Sequence, residues 1–127
     1  MPGEWYEKGL KARREVLSNE YVDQALKNNA DDFSAPLQEM VTEYCWGWVW
    51  NREQLPRKMR SLINIALLTA LNRPHELKVH VKGALRNGCT KDEIREVLLH
   101  VGAYAGVPAA VDGFRNAREA LREVGAL

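Results

Sequence analysis

The chain has 127 residues, 46% of them hydrophobic and 28% charged, with a formal net charge of +1, which fits one globular domain around a single core. Near-neutrality and the lack of a basic run argue against nucleic acid or an anionic membrane as partner. The longest apolar stretch, Leu62 to Leu71, is about half of what a bilayer span requires. The opening MPGEWYEKG has no apolar leader core, and Cys45 and Cys89 form neither a CxxC pair nor a disulfide framework, so a cytoplasmic setting is expected.

In chain order, helical periodicity recurs and strand alternation does not. Glu4 to Leu17 reads as a first amphipathic helix, and a second starts near Ser18. Ser34 is placed to cap a third, with Pro36 in its first turn and Leu37, Met40, Val41 and Tyr44 along one inward stripe. WGWVWNREQLP breaks that pattern and reads as a connecting loop. Pro56 opens a fourth helix, apolar all round from Leu62 to Leu71 except for Asn64 and Thr69, which should lie centrally. Pro74 opens a fifth, closed by Asn87 and Gly88. TKDE at Thr90 to Glu93 is a capping box for a sixth, with Ile94, Val97, Leu98 and Val101 inward. AGVPAA separates it from a seventh, whose stripe is Ala110, Phe114, Ala117, Leu121 and Val124. The expected fold is all-α, a single-domain bundle of about six to seven helices. The Trp-rich segment offers apolar surface for self-association.

The fifth helix carries the densest chemistry. At roughly 100° per residue, His75, Lys78, Lys82 and Arg86 share one arc and should face solvent, while Leu77, Val81 and Ala84 pack. Glu76, His80 and Asn87 fall on the inward side, and Glu76 and His80 are one turn apart, close enough to hydrogen-bond. Arg73 projects the same way, although a residue before proline is pushed out of the helical region. A carboxylate, an imidazole and a guanidinium converging at a helix N-terminus fit an anion site with acid–base function. They fit a structural ion network equally well, since Glu76 in a first turn complements the helix dipole without any further purpose. Spacing alone does not choose between them. Arg57 and Arg60 form a second basic pair at the start of the fourth helix. His100 near Glu96 reads as a surface pair, and the tryptophans as packing. The histidines lack HExxH spacing, so no metal is expected.

Three stretches carry a resemblance: EYCWG at Glu43 to Gly47, RSLINIALLTALNRPHELKVHVKGALRNG at Arg60 to Gly88, and KDEIREVLLHVGAYAGVPAAVDGFRNA at Lys91 to Ala117. Together they resemble the 4-carboxymuconolactone decarboxylase family, closely from about Glu39 onward. The wider alkylhydroperoxidase-D-like superfamily has a Glu and a CxxCxxxH signature. Laid on this sequence those positions fall on Ser61, Arg73, Glu76 and His80, and only the histidine survives. Thiol exchange needs two nearby sulfurs, so the resemblance favours the decarboxylase branch over the thiol peroxidases. Trp48 and Ala105 depart from the family's usual residues, which leaves the exact substrate open.

The resemblance implies a cofactor-free homo-oligomer, trimer-based or hexameric, acting on a small carboxylated lactone in protocatechuate breakdown through the β-ketoadipate pathway. On that expectation His80 donates a proton and Glu76 orients it. Arg73 clamps a substrate carboxylate, Ser61 serves the oxyanion, and Arg60 and Glu43 line the pocket. An isomerase or hydrolase acting on a related lactone, and a non-catalytic helical oligomerisation module, are the competing expectations.

Overall fold

The computed structural model describes residues 3–127. Among them the chain is all-α, with seven α-helices, the third continued by a π-helical segment. It forms two compact units, one ending at Leu55 and the other beginning at Pro56.

The first unit holds α1 (Glu4–Leu17), α2 (Asn19–Asn28), α3 (Ala35–Met40) and the π-helical continuation Val41–Val49. Ser18 separates α1 from α2 at φ 89° and caps α2, its Oγ accepting from the Tyr21 amide at 3.2 Å. The expected cap at Ser34 is replaced: its side chain makes no cap hydrogen bond. The Asp31 carboxylate instead accepts from the Phe33 and Ser34 amides at 2.9 and 2.8 Å, and those bonds hold its pKa below the ordinary carboxylate value.

WGWVW is not a loop. The helix runs through it by widening to i→i+5 bonding, as in the Trp50 amide donating to the Cys45 carbonyl at 2.9 Å. Widening also moves the buried face. Thr42, Trp46 and Gly47 are buried, whereas Leu37, Met40 and Tyr44 of the expected inward stripe are more than half exposed. A pair of glycines explains how α1 lies against this segment. A Cβ on Gly9 would run into the Thr42 carbonyl oxygen and the Gly47 amide, and one on Gly47 into the Trp5 carbonyl. Backbone therefore meets backbone at this crossing. Trp46 stacks on Trp50 with centroids 4.6 Å apart.

The second unit is built from α4 (Arg57–Ala70), α5 (Pro74–Arg86), α6 (Lys91–Ala105) and α7 (Val107–Glu123). Its core joins Ile65 of α4, Leu77, Val81 and Ala84 of α5, Ile94 and Leu98 of α6, and Ala117 and Leu121 of α7. As expected, α4 is central, packing on all three others. It is not buried all round, because Met59, Ile63 and Leu67 leave one face 42–52% exposed.

The punctuation of this unit follows the sequence closely. Gly88 sits at φ 89°, and the Cys89 amide returns to the Ala84 carbonyl at 2.9 Å. The Thr90–Glu93 capping box forms in both directions, at 2.9 and 3.0 Å. The expected AGVPAA connection shrinks to Gly106 alone, at φ 115°, before α7 begins at Val107.

Candidate active site

Of the four helices in the second unit, α4 and α5 carry Arg60, Ser61, Glu76 and His80, with Arg73 at the start of α5. Pro74 starts α5 with its fixed φ, and Arg73, at φ −113° and ψ 77°, stands outside the helix as its N-cap. Its guanidinium is exposed and donates to the Leu71 carbonyl at 3.1 Å.

One flank of α5 faces α4. There the Asn64 amide nitrogen lies 3.5 Å from His80 Nδ1. Further along the same seam, Asn87 donates to Ser61 Oγ at 2.9 Å and approaches the Arg57 carbonyl at 3.5 Å. His80 and Asn87 differ by only about 20° around the helix, so both project onto this seam. Burial pushes the His80 imidazole down from 6.5 to about 4, since a low-dielectric surrounding disfavours the charged ring. At neutral pH the ring is therefore uncharged.

Glu76 does not accompany His80 inward. It is exposed, and the expected shared chamber is corrected to a sheltered histidine with an asparagine neighbour. The reason is geometric. Glu76 lies about 100° around the helix from Leu77, in the first turn, where a side chain on the flank of the packing face is left to solvent. His75 is exposed as expected.

Lys78 and Lys82, expected to face open solvent, are partly sheltered on the other flank. Lys78 pairs with Glu119 and Glu123 of α7 at 2.8 and 3.1 Å, and Lys82 pairs with Glu123. These hydrogen-bonded partners raise Lys78 and lower Glu123 from their ordinary pKa values.

Ser61 is fully buried. Its hydroxyl ties α4 to α5 through Asn87, a geometry that suits fixing the seam better than meeting a substrate. Arg60 is half-buried in the first turn of α4. Glu43 belongs to the first unit, on the π-helical segment, where it accepts from the Gly3 amide at 2.7 Å. His100 is exposed and lies beside the Tyr104 ring, 4.8 Å between centroids with the planes tilted by 31°. A cleft of about 590 Å³ between α6 and α7 is lined by Leu99, Val107, Phe114 and Arg118, and His80 is not among its lining residues. No cluster of His, Cys, Asp and Glu suited to a metal ion occurs among the described residues.

The sequence reading missed two residues of the seam as site components, Asn64 and Asn87. Asn64 had a signal, being a polar interruption of the most apolar helix in the chain. Asn87 had one too: it falls on the inward side of the fifth helix together with His80.

The profile of the carboxymuconolactone decarboxylase family matches residues 35–119. The chain belongs to this family. Among curated members, it is 42% identical over 120 residues to a 4-carboxymuconolactone decarboxylase from Acinetobacter baylyi, a match covering 94% of this chain and 89% of that protein. It is also 40% identical over 119 residues to a nitrosuccinic acid decarboxylase from Metarhizium robertsii, covering 94% of this chain and 82% of the relative. The family match begins on α3 and ends within α7, so it takes in the α4–α5 seam entirely.

Proposed function

We propose that this protein is a cofactor-independent decarboxylase of small dicarboxylates that carry their own electron sink, with 4-carboxymuconolactone as its substrate. The observation that carries the reading is the 42% identity to a decarboxylase of that name across almost the whole of both chains. The sheltered His80 at the α4–α5 seam supplies the chemistry.

In this substrate the departing carboxylate sits on the γ-carbon of an unsaturated lactone. Loss of CO₂ sends its electron pair through the ring double bond onto the lactone carbonyl oxygen. The resulting dienolate takes one proton at the carbon beside the carbonyl and becomes 3-oxoadipate enol-lactone. One proton is consumed for each CO₂ released, and the lactone itself accepts the electrons.

His80 is the proposed proton donor. Its ring is neutral at pH 7, but a dianionic substrate beside it favours the charged form, so the proton enters with the substrate and passes to carbon. General acid catalysis of this kind contributes roughly 10²–10⁴ in rate. Arg73 and Arg60 are proposed to hold the carboxylates. Glu76, at the exposed start of α5, is proposed to act on entry or through a neighbouring subunit. Ser61 is proposed to keep the seam in register. The same reading takes residues 1–127 as one domain in a cytoplasmic homo-oligomer, trimer-based or hexameric, serving protocatechuate catabolism.

A second substrate is favoured by one observation, the 40% identity to the nitrosuccinic acid decarboxylase over similar coverage. Nitrosuccinic acid is also a dicarboxylate with a built-in sink, its nitro group accepting the electron pair as a nitronate before carbon is protonated. The deciding experiment offers the purified protein each acid in turn and follows CO₂ release. Release from the lactone at the higher kcat/KM supports the first reading, and the reverse order supports the second. Altered lactone absorbance without CO₂ would point instead to an isomerase or hydrolase.

A further inference from the structure

Asn64 is one of two polar residues in the apolar run of α4, and its amide is directed at the histidine that the proposed function makes the acid. The other exception, Thr69, packs against α7 instead, its Cγ2 2.6 Å from where a Cβ on Gly113 would stand. Asn64 is half-buried and faces α5, so its polarity serves that seam.

The chemistry of the contact is directional. The Asn64 nitrogen can only donate, and it faces His80 Nδ1. A nitrogen that receives a hydrogen bond carries no proton, so donation from this amide calls for a neutral ring with its proton on Nε2. When the ring gains its second proton, Nδ1 becomes a donor. Turning the amide over then presents Oδ1 as the acceptor, and the ring need not move.

We propose that Asn64 is the positioning residue of His80, fixing the neutral ring as the Nε2–H tautomer and following its charge by amide rotation, so that one orientation serves both protonation states. The inference rests on the reading of His80 as the reacting acid. The seam holds Asn64 in place independently of this contact. One turn before Asn64 on α4, Ser61 receives the 2.9 Å hydrogen bond from Asn87, which fixes α4 against α5. The charged residues nearest in register are Arg60, one turn before Asn64, and Glu76, one turn before His80; Glu76 is exposed. Asparagine suits the position because it is neutral and can both donate and accept. An aspartate would favour the charged ring, and a leucine would remove the amide that faces Nδ1.

The test is ¹⁵N spectroscopy of protein labelled at histidine, with the His80 signals identified by their loss in His80→Asn. In the unsubstituted protein at neutral pH, Nδ1 should appear unprotonated and Nε2 protonated. Asn64→Leu should give a mixed tautomer signature and reduce kcat about tenfold with KM changed less than about threefold, a modest share of the acid–base contribution. Asn64→Asp should raise the His80 titration midpoint by about a unit or more, and this variant carries the test should the leucine variant fail to fold. A proton on Nδ1 in the unsubstituted protein, or a tautomer unchanged by Asn64→Leu, overturns the assignment. The spectra do not depend on turnover. A protein that releases no CO₂ yet shows the predicted tautomer refutes the proposed function and leaves the positioning intact.

Discussion

Asn87 reaches back from the end of α5 to donate to Ser61 Oγ at 2.9 Å, and this bond joins the last turn of one helix to the first turns of the other. Ser61 is fully buried, so its hydroxyl depends on this partner. Removing one partner of a buried pair costs about 1–3 kcal/mol. Asn87→Ala should therefore lower unfolding free energy by about that amount in urea titrations, and Ser61→Ala by less, since Asn87 retains the Arg57 carbonyl 3.5 Å away. Ser61→Ala should keep kcat within a few-fold; a loss of a hundredfold would return Ser61 to the oxyanion role.

Stability should depend on pH through His80. Its folded pKa, about 4, lies below the ordinary 6.5, so between those values the unfolded chain binds more protons than the folded one. Its contribution to stability is then complete above about pH 6.5 and declines as pH falls toward 4, by at most about 3 kcal/mol. Thermal unfolding from pH 7 to pH 4 should show this decline, and His80→Gln should flatten it. Equal slopes in both proteins would mean that the ring is not sheltered.

Gly9→Ala should damage the first unit. The added Cβ meets the Thr42 carbonyl oxygen and the Gly47 amide, backbone atoms that cannot swing aside. A cost of about 2–3 kcal/mol or more is expected. Gly88→Ala meets nothing within 4 Å but sits at φ 89°, so about 1 kcal/mol is expected there. Chemical denaturation that ranked Gly88→Ala as the more harmful would contradict the backbone-to-backbone crossing at Gly9.

The helices of the second unit were legible because their ends are written locally. Pro74, Gly88 and the Thr90–Glu93 box each act within a few residues, and each works as the sequence indicates. The WGWVW segment was illegible because no 3.6-residue period describes a helix that widens, and because the residue that lets α1 pack backbone-close against it is Gly9, nearly forty residues before Gly47. The inward turn of His80 followed from its angle to Leu77 and Val81. The same projection failed for Glu76 because angle says nothing of where along a helix its neighbour stops. Lys78 and Lys82 were given to solvent because their partners Glu119 and Glu123 lie on α7, some forty residues away and outside any local pattern.

The central claim is that the imidazole at position 80 delivers the proton that follows CO₂ loss, and its most direct test compares two histidines on one helix. CO₂ release from 4-carboxymuconolactone should be measured for His80→Gln and His75→Gln, with circular dichroism as the check on folding. A fall in kcat of about 10²-fold or more is expected for the sheltered position and less than about twofold for the exposed one, both proteins remaining helical. Undiminished turnover in folded His80→Gln, or the larger loss at His75, would contradict it.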